Sequence, residues 1–219
     1  MTLKLNGSSS GSVSIDAPAS TTGGADRTLT FPDDSGNGVI KTSTHPSSHQ
    51  ILEQFYSPCD GSVITLQDGN HTLTQPSAYD ATDSFVDIVG SSITYTPPTG
   101  TTQVIYQYEF QMSYSNGGPI LSMALYLDSD EVTNFRYVLR ASDDIEHRIL
   151  CKWGFNIGGT ASTASGRVAS WTSSKTMKLQ VSRYSNSYAG RLHETNHWGT
   201  TSTDIVTVPC LGITAIGAA

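Results

Sequence analysis

The residues whose types and spacing most readily suggest chemistry are His193-Glu194-Thr195-Asn196-His197, which spell H-E-x-x-H. On a helix, that spacing puts two histidines on one face to hold zinc and a glutamate to polarise the metal-bound water, as in a metalloprotease. The surroundings predict no helix. Ser185-Asn186-Ser187-Tyr188-Ala189-Gly190 lies upstream, Trp198-Gly199-Thr200-Thr201-Ser202-Thr203 lies downstream, and Thr195 and Asn196 are weak helix formers. On a strand the two histidines would share a face but stand about 13 Å apart, too far to bind one metal. The preferred reading puts His193, His197 and Trp198 at a loop or strand end, as part of a recognition surface.

Other candidate ligand sets are weaker still. His45 and His49 stand at i, i+4, with no carboxylate or thiol beside them, and read as surface histidines. Asp128, Asp130 and Glu131 are acidic enough for calcium but lack the glycine and distal glutamate of a twelve-residue calcium loop, so they read as a solvated turn. Cys59, Cys151 and Cys210 are odd in number and contain no CxxC pair, which indicates ordinary thiols. The expectation is no metal, no cofactor and no catalytic constellation. The sequons Asn6-Gly7-Ser8 and Asn70-His71-Thr72 carry little weight without a signal peptide.

Charged residues make up only 14% of the chain, and the net charge of -7 offers no cationic cluster to displace counterions from a phosphate backbone. Nucleic acid is therefore excluded as the main partner. The N-terminus MTLKLNGSSSGS lacks the apolar run of a signal peptide, and no stretch of about 18 apolar residues offers a membrane span. The protein is expected to be made, and to be soluble, in a cytoplasm.

Any site must be positioned by β-structure. Val104, Tyr106, Tyr108, Phe110, Met112 and Tyr114 alternate with Gln107, Glu109, Gln111, Ser113 and Ser115, a period of two that predicts a strand with one buried face. Asn116-Gly117-Gly118-Pro119 then predicts a turn, and Ile120 to Leu127 an antiparallel return. Asp68-Gly69-Asn70 reads as a hairpin turn. Further alternating strands follow, with Ile149, Cys151, Trp153 and Phe155 on one face, then with Met177, Leu179 and Val181 inward. Pro209 predicts a bulge or an edge near the end of the chain. Residues 45–60 read as a linker, in which Ile51, Leu52 and Phe55 fit either one helical turn or an extended segment.

Residues 1–44 contain short apolar pairs between Gly, Asn and Asp turns, too little apolar surface for a core of their own. They must dock on the C-terminal domain or be completed by copies of themselves or by another protein. The stretches LKLNGSSSGSVSIDAPAS and GADRTLTFPDDSGNGVIKT resemble the N-terminal segment of structural and fibre-like proteins of marine tailed bacteriophages, particularly those infecting cyanobacteria. The resemblance implies a virion protein that attaches to other virion proteins through residues 1–44.

About ten to twelve strands predict an all-β protein, with residues 61–219 forming an antiparallel jelly-roll sandwich behind a small β-rich N-terminal attachment segment. The long YQYEFQM strand, the ALYLDSDEV turn, the strand containing KWGF and the terminal VPCLGITAIG resemble the jelly-roll heads related to C1q and tumour necrosis factor. That resemblance implies a homotrimer. Independently, Ile120, Ala124 and Tyr126 leave the second face of the returning strand apolar, which calls for cover by another copy or by loops of the same chain. Tyr106, Tyr108, Phe110, Tyr126 and Tyr137 are the expected core or oligomer interface. Trp171, Tyr184, Tyr188, His193, His197 and Trp198 are the expected recognition residues, with rings suited to a host-surface glycan. The functional expectation is a non-enzymatic tail fibre, knob or capsid decoration. The alternatives are a carbohydrate-active enzyme on a β scaffold and a free C1q-like ligand-binding module.

Overall fold

The computed structural model describes residues 2–6, 12–16, 50–114, 118–140, 145–188, 190–196 and 205–217. The chain divides into two units, Met1–Ser43 and Thr44–Ala219. In the first, β1 (Thr2–Asn6) and β2 (Ser12–Asp16) form an antiparallel hairpin. His45 and His49 lie outside the described residues.

The second unit is all-β. In chain order its strands are β3 (Ile51–Pro58), β4 (Val63–Leu66), β5 (Gly69–Thr72), β6 (Tyr79–Asp80), β7 (Val86–Asp87), β8 (Ile93–Tyr95), β9 (Thr101–Tyr114), β10 (Ile120–Leu127) and β11 (Asp130–Glu131). They continue with β12 (Tyr137–Arg140), β13 (Ile145–Asn156), β14 (Lys175–Arg183), β15 (Arg191–Leu192), β16 (Glu194–Thr195), β17 (Ile205–Val206) and β18 (Cys210–Gly217). The expected linker is thus partly a strand: β3 pairs with β18 from Pro58↔Cys210 onward, with Phe55 against the core. Its alternation is too short to separate a helical turn from a strand, and only a free edge on β18 settles it.

The predicted hairpin between β9 and β10 does not form. β9 pairs with β13 along Gln103–Tyr114 on one edge, and with β18 and then β15 on the other. A strand has two edges, so β10 has nowhere to pair and crosses to the opposite sheet. There it lies between β14 on one side and β11 and β12 on the other. Alternation fixes which face of a strand is buried and leaves its partner open. The predicted β4–β5 hairpin does form, but its two-residue turn is Gln67-Asp68, with Gly69 opening the returning strand at φ 129°.

With collinear short strands counted as single rows and the short β4–β5, β16–β17 and β6–β15 pairs left aside, the described residues of the head form eight rows. Rows two and five are β7 with β8 and β11 with β12, because each pair lies along one edge of its partner. The first sheet runs β3-β18-β9-β13, which is order 1-8-3-6, and the second runs 2-7-4-5. Those interleaved orders are a jelly roll, two Greek keys folded into a sandwich. The core lies between the sheets, filled by Tyr106, Phe110 and Met112 from β9 and by Leu121, Leu125 and Leu179 from β10 and β14. Its buried hydroxyls are paired across the sandwich, Tyr106 donating to the Ser91 carbonyl (2.6 Å) and Tyr108 to the Val89 carbonyl (2.7 Å).

Pro209 lies just before β18 and its carbonyl accepts from the Cys59 amide, while the register irregularity falls later, at Ala215/Ile216. At Gly212 a Cβ would stand 2.5 Å from Tyr56 Cδ2 and 3.1 Å from the Phe55 carbonyl oxygen. The ring can move but the backbone cannot. Gly212→Ala is therefore expected to destabilise the head by about 1–3 kcal/mol, read as a lower urea midpoint with unchanged slope.

Candidate functional site

Residues 193–196 of the H-E-x-x-H stretch are not helical. Glu194 and Thr195 form β16, paired with β17, and His193 adopts left-handed φ of 61°. The His193 ring is fully buried between Tyr79 and Phe110, so it is not a surface recognition residue. Left-handed backbone at His193 turns the ring into the core in place of the exposed side that strand alternation would give it. His197 and Trp198 lie outside the described residues. Among the described residues, no three His, Cys, Asp or Glu side chains converge on a metal position. The acidic turn is structural: Asp128 pairs with Lys175 (2.8 Å) and accepts the Thr176 amide, and Glu131 takes Arg136 in a bidentate pair.

Trp171 is likewise a correction to the recognition set. It is 5% exposed, packs edge-on against Phe155 and donates its indole N–H to the Tyr95 carbonyl (3.0 Å). An indole flanked by polar loop residues looks exposed in sequence, but here it plugs one end of the sandwich. Tyr184 and Tyr188 remain at the surface as a T-shaped pair with centroids 6.0 Å apart, Tyr184 being 73% exposed. A short 3-10 turn at Asn186–Tyr188 brings them together.

Tyr106, Tyr108 and Phe110 are buried within a single chain and belong to its core, which leaves them no surface for an oligomer axis. The second face of β10 is also largely covered from within. Ala124 is buried, and neighbouring β14 and β7 carry a polar ladder in which Lys178 (2.9 Å) and Gln180 (2.7 Å) both reach Asp87. Tyr126 is half-buried on that face, while Tyr137 is exposed at the β12 edge.

Sequence reasoning missed two features. The first is the outer face of the β3-β18-β9-β13 sheet, where Tyr56 Oη donates to Glu109 (2.5 Å) and Arg148 pairs with the same carboxylate. Those two hydrogen bonds hold the Glu109 carboxyl below its ordinary range, whereas desolvation and the carboxylate push the Tyr56 hydroxyl up. Beside this cluster Leu150, opposite Glu109, is 55% exposed, and Ile51 and Leu52 at the start of β3 are exposed as well. The second is a groove of about 360 Å³ between β12 and β13, lined by Phe135, Tyr137, Leu139 and Ile149 and flanked by Arg148 and Lys152. Both need the strand register, which no local pattern supplies. The arrangement as a whole offers contact surfaces, and many of the described carboxylates are engaged in ion pairs, as at Asp83, Asp87, Glu109, Asp128 and Glu131.

No protein-family model matches the chain, and no curated protein matches it. Among solved structures, the chain is similar to one of the infectious bursal disease virus Gt strain (TM-score 0.35, 10% identity, covering 87% of this chain and 50% of the other). It is also similar to the infectious bursal disease virus VP2 subviral particle (TM-score 0.33, 10% identity, 86% and 50%). A third is a marine algae virus of the order Picornavirales (TM-score 0.23, 14% identity, 94% and 90%). The chain spans about half the length of the first two chains it matches. At these TM-scores the likeness establishes neither a shared function nor a family.

Proposed function

We propose that the chain is a non-enzymatic structural protein of a tailed-phage virion, in which residues 1–44 attach to the particle and the jelly-roll head projects as a fibre, knob or capsid decoration. The observation that carries this reading is the division of the chain into a short N-terminal segment with a phage-like sequence and a separate eight-row head. Deleting residues 1–44 is expected to abolish incorporation of the protein into purified particles while the head stays folded. Undiminished incorporation of the truncated head would overturn the attachment role.

The head assembles as a homotrimer in this reading. Support comes from apolar side chains left uncovered in one chain: Ile51, Leu52, Tyr56 and Leu150 on the outer sheet face, and Tyr137 and Val138 along β12. Sedimentation equilibrium should give three times the 23.4 kDa chain mass. A stable monomer at micromolar concentration would remove the trimer.

Tyr184 and Tyr188 are proposed as the platform for a host-surface glycan, because two exposed rings in a fixed T-shaped arrangement suit stacking on sugar faces. The double substitution Tyr184→Ala, Tyr188→Ala is expected to weaken host-cell binding about tenfold, with stability changed by less than about 0.5 kcal/mol. Unaltered binding would move the contact elsewhere.

A further inference from the structure

We propose that His193 is an acid-operated hinge, at which protonation of a buried and uncompensated ring releases the β16–β17 pair while the eight-row sandwich stays folded. The inference is independent of the virion reading, since it concerns only the conformational response of the head.

Four observations converge on this residue. Its backbone is left-handed at φ 61°, an uncommon state for a side-chain-bearing residue. Its ring is 0% exposed and wedged between Tyr79 (centroids 5.7 Å) and Phe110 (5.8 Å). Neither ring nitrogen has a partner in good hydrogen-bond geometry among the described residues, and the Val89 backbone that lies near the ring has its carbonyl already accepting from Tyr108. Finally, its main chain is the joint between two elements. The His193 amide donates to the Gln111 carbonyl (2.8 Å), extending the β15 edge along β9, and its carbonyl accepts from the Thr207 amide (2.8 Å), anchoring the far end of the β16–β17 pair.

Among the described residues, the groups packed around the ring give a proton no free counter-charge. From β6 comes Tyr79, whose hydroxyl accepts the Val89 amide (3.3 Å), and from β9 come Phe110 and Tyr108, the latter hydrogen-bonded to the Val89 carbonyl. Asp80 on β6 and Glu194 on β16 are both drawn to Arg191 on β15, at 3.6 Å and 2.7 Å. Glu146 on β13 accepts from the Thr195 hydroxyl and from the Asn196 amide (2.6 Å). An imidazolium in this pocket would be a buried charge with no carboxylate free to meet it among the described residues and only the Val89 backbone beside it, so the protonated ring is more stable outside. Turning it out pulls on the one residue that holds both hydrogen bonds of the joint.

The direction of the pH effect follows from burial. Desolvation pushes the His193 pKa down from 6.5 to about 4, outweighing the opposing effect of the Val89 backbone. A lowered folded-state value means that the closed form is fully favoured above about pH 6.5 and loses ground as pH falls towards 4. Hydrogen bonds and ion pairs hold the Glu109 and Asp87 carboxyls below their ordinary values, away from the upper part of this window.

The test is hydrogen exchange of the full chain, followed by mass spectrometry and corrected for intrinsic rates. Between pH 7.5 and pH 5 the opening constant of the His193, Val206 and Thr207 amides should rise about 30-fold, with β9 and β13 amides unchanged. His193→Asn, which tolerates left-handed backbone and does not titrate in this range, should abolish the response, whereas His147→Asn, at an exposed position of β13, should retain it. Because the first variant also changes the packing of the pocket, NMR titration of the wild-type His193 ring gives an independent readout. Titration near 6.5, a flat wild-type response, an acid response that survives in His193→Asn, or equal opening of β9 would each overturn the hinge.

Discussion

Phe110→Ala is expected to lower the stability of the head by about 3–5 kcal/mol, shifting the urea midpoint far below that of the parent. Phe110 is 1% exposed and sits on the inner face of β9, the central strand of its sheet, with the Tyr108 and His193 rings on either side. Removing the ring takes away its transfer free energy and leaves a cavity walled by other rings, which relax poorly. The contrast with Tyr184→Ala makes the experiment decisive. Both changes delete an aromatic ring, but the second lies at the surface and should stay within about 0.5 kcal/mol of the parent. Comparable losses from the two would mean that β9 does not face the core.

Arg191→Met should cost about 2–3 kcal/mol. The Glu194 carboxylate is almost completely buried, and the Arg191 guanidinium meets it at 2.7 Å. Without the cation, a charged carboxylate stays in a dry place beside only a long contact to the Ser113 hydroxyl (3.4 Å). Breaking a fully buried pair by removing one partner is usually worth more, but Arg191 is itself 41% exposed and water screens part of the interaction. The double variant Arg191→Met, Glu194→Gln should recover much of the loss, because it removes the stranded charge as well. A thermal-unfolding cycle of the four proteins measures this directly; additive losses would show that the two side chains do not act as a pair.

The sequence by itself determined the class of the fold and the inward face of its long strands. Tyr106, Tyr108, Phe110, Met177, Leu179 and Val181 are buried as their period of two requires, because alternation in a half-buried strand is a local property of the backbone. It also argued against a helix at His193, and residues 193–196 are indeed non-helical, since propensity and flanking residues act over a few positions. What only the tertiary structure decided was partnership. β9 and β10, adjacent in the chain and joined by residues with strong turn chemistry, lie in different sheets because both edges of β9 are taken by strands far along the sequence. The stretch read as a linker became β3 for the corresponding reason, a free edge on β18. Side chains whose exposure depends on long-range neighbours moved accordingly. Trp171 went from an expected recognition ring to a plug of the core, and Tyr106, Tyr108 and Phe110 lost any place on an oligomer axis. Glu109 acquired Tyr56 and Arg148 from two strands distant in sequence. Local chemistry fixes faces and turns, whereas register and strand order follow from competition between edges across the whole chain, and these decided which residues remained available at the surface.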